Sequence, residues 1–171
     1  MYFLKIPSLL FLFLILLMAG CGKSDDPSRH YEKEGGFSYV PPEGWEIAEH
    51  PQLKYRIFRG ASENQFAPSI NVVDEHFDGF LESYVDANIE AMRGFVKDFD
   101  LVEREEFITN DEVRSIKLTV DGEHYQRLLR QYFYFFNAGE KKYIVTCSAL
   151  AENAEKYEPL FDTSVKTFRI E

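Results

Sequence analysis

Cysteine and histidine are scarce in this chain, and their spacing limits the chemistry they could do. The cysteines are Cys21 and Cys147, and the histidines are His30, His50, His76 and His124. No pair has the close spacing of a zinc site or a redox motif. The densest ligand-like run is Asp74-Glu75-His76, with Asp78 just beyond. On an extended strand Asp74 and His76 point the same way and could hold a hard or borderline cation. A solvated strand end leading into a helix cap accounts for the same residues, so no metal site and no cofactor are expected. Glu103-Arg104-Glu105-Glu106 offers paired carboxylates for acid/base work but reads as a solvated strand face. Cys147 alternates with Val145 and Ala149, the pattern of an inert core thiol. No nucleophile elbow, phosphate-binding glycine loop or Cys-His signature stands in the chain. The expectation is a protein that is not an enzyme, with no catalytic residues.

Cys21 has a different setting. It follows a start with one positive charge, Lys5, and an uncharged run from Ile6 to Gly20. That run is 15 residues long, short for a membrane span, which needs about 20. Charge, apolar run and small residues in that order form a secretory signal. Leu17-Met18-Ala19-Gly20-Cys21 resembles the lipobox of bacterial lipoproteins, with Met18 where the pattern favours Leu. Ala19 and Gly20 let the backbone lie extended against a protease, and the Cys21 thiol can be alkylated by a lipid donor. The resemblance implies cleavage before Cys21 and several acyl chains, palmitate among them, on the new N-terminus. Two or more chains give stable anchoring. Gly22, in place of the Asp that often marks inner-membrane retention, points to the periplasmic face of the outer membrane in a Gram-negative cell. In a Gram-positive cell the address would be the outer face of the plasma membrane.

The formal net charge is −10 over 171 residues. Loss of the leader removes one positive charge. So acidic a surface repels phosphate backbones and anionic lipid, which excludes nucleic acid as a partner. The chain is 45% apolar and 16% aromatic, enough for a core. Residues 1–20 read as signal peptide, 21–36 as a polar lipidated tether, and 37–171 as one domain.

Within that domain, alternation predicts strands at Phe37–Val40, Trp45–Ile47, Tyr55–Arg59 and Ser69–Val73. Asp78 is a candidate N-cap for a helix over Gly79–Lys97, with Leu81, Tyr84, Val85, Ile89, Met92, Phe95 and Val96 on its buried face. Strands follow at Leu101–Thr109, Val113–Val120, Glu123–Asn137 and Lys142–Leu150. Asp121-Gly122 reads as a hairpin turn. Tyr132 to Phe136 is apolar on both faces, which predicts a central strand covered on both sides. Those aromatics could stack on an aromatic or lipid ligand, in a cavity lined by Tyr132 or Tyr134, but a two-sided core strand is the simpler account. Trp45 likewise reads as core. A last helix lies within Glu152–Phe168, starting late or split at Pro159. Antiparallel strands with segregated helices make α+β.

Phe37-Ser38-Tyr39-Val40-Pro41-Pro42-Glu43-Gly44-Trp45 resembles the opening of the PsbP/DcrB-like superfamily. So do Lys142 to Ala149, and then Tyr157, Phe161 and Val165-Lys166-Thr167-Phe168. The resemblance covers 37–170 and implies an antiparallel sheet between helices, an αβα sandwich. Members include photosystem-associated extrinsic proteins, a Ran-binding nuclear-transport factor and bacterial envelope lipoproteins, and most act by binding or assembly. The expected function is therefore a membrane-anchored envelope lipoprotein that binds or assembles a protein partner. The alternative is a lipoprotein that binds or senses a small apolar or aromatic ligand.

Overall fold

The computed structural model describes residues 26–171. Residues 1–25, with the expected signal peptide and Cys21, lie outside them. Ten strands and two α-helices follow in chain order: β1 (His30–Glu32), β2 (Phe37–Tyr39), β3 (Glu46–Ala48), β4 (Ile57–Arg59), β5 (Ser69–His76), α1 (Leu81–Phe95), β6 (Lys97–Ile108), β7 (Arg114–His124), β8 (Arg127–Ala138), β9 (Lys141–Leu150), α2 (Ala154–Val165) and β10 (Arg169–Ile170). Seven strands make one antiparallel sheet in the order β3-β4-β5-β9-β8-β7-β6, and β1-β2-β10 make a small second sheet. The chain is α+β, as its sequence predicts. Among the described residues no helix is long and apolar enough to cross a membrane.

Strand alternation divides the core in two. Leu118, Val120, Phe135 and Ile144 face α1, meeting Tyr84, Val85, Ile89 and Met92. Tyr132, Tyr134, Phe136, Val145 and Cys147 face the other way, under α2 and the small sheet, meeting Tyr157, Phe161, Phe37 and Phe168. β8 therefore has both faces covered, as its doubly apolar sequence requires.

Five details differ from the sequence reading. The tether does not run to Gly36. Arg29 donates from Nη1 to Ser38 Oγ at 3.0 Å and to the Thr167 carbonyl at 2.9 Å, and His30–Glu32 pairs with β2. Polar residues join the fold here through cross-strand bonds and through the His30 ring, which packs on Phe58 and Tyr39.

Asp121-Gly122 is not a turn. Both residues lie inside β7, opposite Arg130 and Leu129. Asp121 accepts two bonds from Arg130, at 2.8 and 2.7 Å, and Gly122 makes room for Val96. The turn is Tyr125-Gln126, closed by His124 opposite Arg127.

Asp78 does not cap α1. The cap position is Phe80, with no side-chain bond. Phe77 is held to the β8–β9 turn by its N–H on the Glu140 carbonyl at 2.8 Å, which delays the helix. At the other end Val96 takes the buried place, and Phe95 is 74% exposed.

α2 runs unbroken through Pro159. Pro159 and Glu155, whose carbonyl loses its helical donor, both lie on the exposed side, where the loss is cheapest.

Candidate functional site

The residues singled out by sequence scatter in space. Asp74 lies between two lysines, 3.1 Å from Lys54 Nζ and 2.9 Å from Lys141 Nζ. Burial pushes its carboxyl up, but the bonds from Lys141 and Lys54 outweigh that and hold it below the usual range. Glu75, on the opposite face, accepts from the Tyr84 hydroxyl at 2.7 Å. His76 Nε2 meets Glu140 at 3.2 Å. Each is engaged elsewhere, and Asp78 is exposed beyond them. Among the described residues no group of three or more His, Cys, Asp or Glu is placed to hold a metal ion.

Cys147 is fully buried. Burial pushes its thiol well up, and the charge of Asp162 acts in the same direction. Arg104, Glu105 and Glu106 each meet a different partner, Asp86, Lys117 and Arg114. Tyr132 and Tyr134 are fully buried against Phe161 and Phe107, so the space expected for a ligand there is filled by side chains.

The densest charged cluster was not visible in the sequence. Lys117, 2% exposed, reaches Glu158 at 2.8 Å, Asp162 at 3.1 Å and Glu105 at 3.2 Å. Tyr134 donates to Asp162 at 2.6 Å and Tyr132 to Glu158 at 3.3 Å. Burial pulls the Lys117 ammonium down, yet Glu158 and Asp162 overrule it and hold its affinity for the proton above that of a free lysine. A lysine locked in its charged form is neither a base nor a nucleophile. The cluster fastens α2 to the sheet. Its one sequence signal is alternation, which sets Lys117 opposite Ile116 and Leu118, on the face that α2 covers.

Two surface features remain. The Tyr125-Gln126 turn has φ of 50° and 64°, both in the left-handed region, as a type I′ hairpin requires. Asn-Gly suits that turn best, whereas Tyr carries a steric cost there. Tyr125 is nonetheless 99% exposed, with Leu128 53% exposed beside it. The second feature is a groove of about 760 Å³ between the Val40–Trp45 loop and α2. Trp45 forms its wall, edge-on to Phe161 at 6.0 Å.

The described chain begins in that groove, at Asp26, Pro27 and Ser28. It lies beside Thr167, one residue from Lys166, whose carbonyl accepts from the Asn110 N–H at 2.7 Å. Asn110 lies in the β6–β7 turn, before β7 starts at Arg114, and Tyr125 follows its end at His124. The rise along β7 sets these two turns roughly 30 Å apart.

No family model matches the chain, and no curated protein does. Solved structures do resemble it. The solution structure of cyanobacterial PsbP (CyanoP) from Synechocystis sp. PCC 6803 has a TM-score of 0.61 at 15% identity, covering 90% of this chain and 99% of that one. LpqN of Mycobacterium tuberculosis, described as involved in cell envelope biogenesis, has a TM-score of 0.60 at 10% identity, covering 84% and 85%. PA94 of Pseudomonas aeruginosa, of unknown function, has a TM-score of 0.58 at 15% identity, covering 72% and 94%. The fold is thus PsbP-like, and likeness at this identity speaks for the fold alone.

Proposed function

We propose that this chain is a membrane-anchored envelope lipoprotein, held by lipid on Cys21, that acts as a non-enzymatic module for binding or assembling a protein partner. The observation that carries the reading is Tyr125. Its side chain is 99% exposed, so it contributes nothing to the core. It also occupies a left-handed backbone position that disfavours it. A residue that breaks a local rule without a structural gain marks a functional position. Tyrosine is enriched at protein interfaces, where a rigid ring and a hydroxyl recognise a partner with little entropy loss. The hairpin also points away from the end where the chain comes in. An envelope setting is in keeping with the fold shared with LpqN, whose description places it in envelope biogenesis.

A photoreactive amino acid at position 125 tests this in intact cells, with position 140 as the control at the opposite end of the sheet. The expected result is one discrete cross-linked protein species from 125 and none from 140. No product from 125, or the same products from both positions, would count against the module. The anchor is tested separately, by the mass of the N-terminal peptide of protein recovered from membranes. An unmodified Cys21 there removes the anchor from the reading.

A further inference from the structure

The groove beside α2 has a composition at odds with its residue types. Besides Ser28 on the rim, three hydroxyl residues stand along it, yet their hydroxyls are turned to the protein. Thr163 Oγ1 donates to the Pro159 carbonyl at 2.7 Å, Ser164 Oγ to the Val40 carbonyl at 2.6 Å, and Thr167 Oγ1 to the Ser164 carbonyl at 2.6 Å. Thr167 Oγ1 also accepts from the Val40 N–H at 2.7 Å. With those groups satisfied, what the groove offers to an occupant is largely carbon: Pro41, Pro42, the Trp45 ring and Leu160, which is 43% exposed. A concave apolar surface of this kind suits a chain laid along it better than a flat bilayer.

The chain itself supplies the candidate. Asp26, Pro27 and Ser28 form the rim of the groove. Ser28 is turned back by bonds from its N–H and Oγ to Asp26 Oδ1, at 2.9 and 2.5 Å, and Arg29 is fixed to Ser38 and Thr167. Cys21 stands only five residues before Asp26, a separation of at most about 18 Å. Any acyl group carried on Cys21 is therefore confined to the neighbourhood of this groove.

We infer that the groove between the Val40–Trp45 loop and α2 is a seat for one acyl chain of the protein's own Cys21 anchor. This rests on the proposed lipidation of Cys21. The seated chain would cover Trp45 and Leu160, while the remaining chains hold the membrane. One sequestered chain out of several leaves the anchor weaker by the burial of that chain, at about 0.8 kcal/mol per CH2. The groove would thus act on how firmly the protein is held, a property the hairpin does not touch.

The test needs no bilayer and no cellular lipidation, so its failure is separable from failure of the anchor itself. The chain from Cys21 to Glu171 is alkylated on Cys21 with hexadecyl maleimide, or with ethyl maleimide as the short control. Cys147 is fully buried, so one label per chain is expected. Trp45 is the single tryptophan, and acrylamide quenching of its fluorescence reports its exposure. The expected result is quenching reduced roughly twofold or more by the long chain and unchanged by the short one, since an apolar cover excludes a water-borne quencher. Leu160→Glu places a charge on the groove wall at an exposed position. It should abolish the protection and leave the thermal midpoint of the unlabelled protein unchanged. Equal quenching with both labels overturns the inference. So does protection that persists in Leu160→Glu or that grows with protein concentration, which would mark association between molecules.

Discussion

Gly122 lies directly beneath the Val96 side chain, so close that a Cβ there would overlap Val96 Cγ1. This approach lets the end of α1 settle on β7 at the point where the chain turns into β6. Gly122→Ala should therefore destabilise the fold by about 1–3 kcal/mol through overpacking. Urea unfolding measures it, and Gly122→Ala with Val96→Ala should restore part of the loss. A neutral Gly122→Ala would mean that Val96 moves aside freely.

The Tyr125-Gln126 turn gives the opposite sign. Replacing the pair with Asn-Gly supplies the residues that a type I′ turn prefers. The change should raise stability by about 0.5–1 kcal/mol, read as a higher urea midpoint with an unchanged slope. With the photoreactive residue moved to position 128, which is 53% exposed beside the turn, the Asn-Gly variant should lose a cross-linked partner that the native turn gives. Greater stability with less binding is the signature of a turn kept for its side chain.

Lys117→Met leaves Glu105, Glu158 and Asp162 facing one another without a cation. Removing one member of a fully buried pair costs about 3–5 kcal/mol. The three carboxylates are partly exposed, between 29% and 42%, so solvent screening lowers the expectation to about 2 kcal/mol. The pH dependence has a definite sign. Lys117 holds its proton more tightly folded than unfolded, so its contribution is complete below the ordinary lysine value of 10.5 and is lost as pH rises through the folded value. Wild type should thus lose stability at strongly alkaline pH more steeply than Lys117→Met does.

His30 titrates in the opposite sense. Its ring packs edge-on to Phe58 at 5.1 Å and Tyr39 at 6.0 Å. Burial lowers its affinity for a proton, Glu32 works against that, and Arg56 adds to the lowering. A histidine with a depressed folded value contributes stability above its ordinary value of 6.5 and loses it as pH falls. Between pH 7.5 and 5 wild type should lose more stability than His30→Phe, which keeps a ring and cannot be protonated. Equal losses would show that the ring is hydrated in either form.

Much of the fold was legible because it is written in alternation. Tyr132 to Phe136 announced a strand covered on both faces, and Val145, Cys147 and Ala149 announced its neighbour's core side. What escaped depends on partners distant in sequence. Asp121-Gly122 has the local form of a turn, but its register with Arg130 and Leu129 makes it strand. His30–Glu32 looked like tether because its composition is polar, whereas its pairing with Phe37–Tyr39 makes it part of the small sheet. The Lys117 cluster joins residues 41 and 45 positions apart, a separation that no periodicity encodes. Tyr125 was read as a strand residue, and only the observed turn shows that its backbone conformation is unusual.

The bonds from Arg29 to Ser38 and Thr167 also set a concentration. Under the lipid anchor proposed at Cys21, eight residues would join lipid to fold, a contour of no more than about 28 Å. A partner in the same membrane meets the Tyr125 hairpin only within a thin layer above the bilayer. Confinement by so short a linker corresponds to effective concentrations in the range of about a millimolar. Under that anchor, a contact too weak to detect between dissolved molecules would be saturated between membrane neighbours. Lengthening the segment between Cys21 and Asp26 would dilute the interaction without altering a single contact.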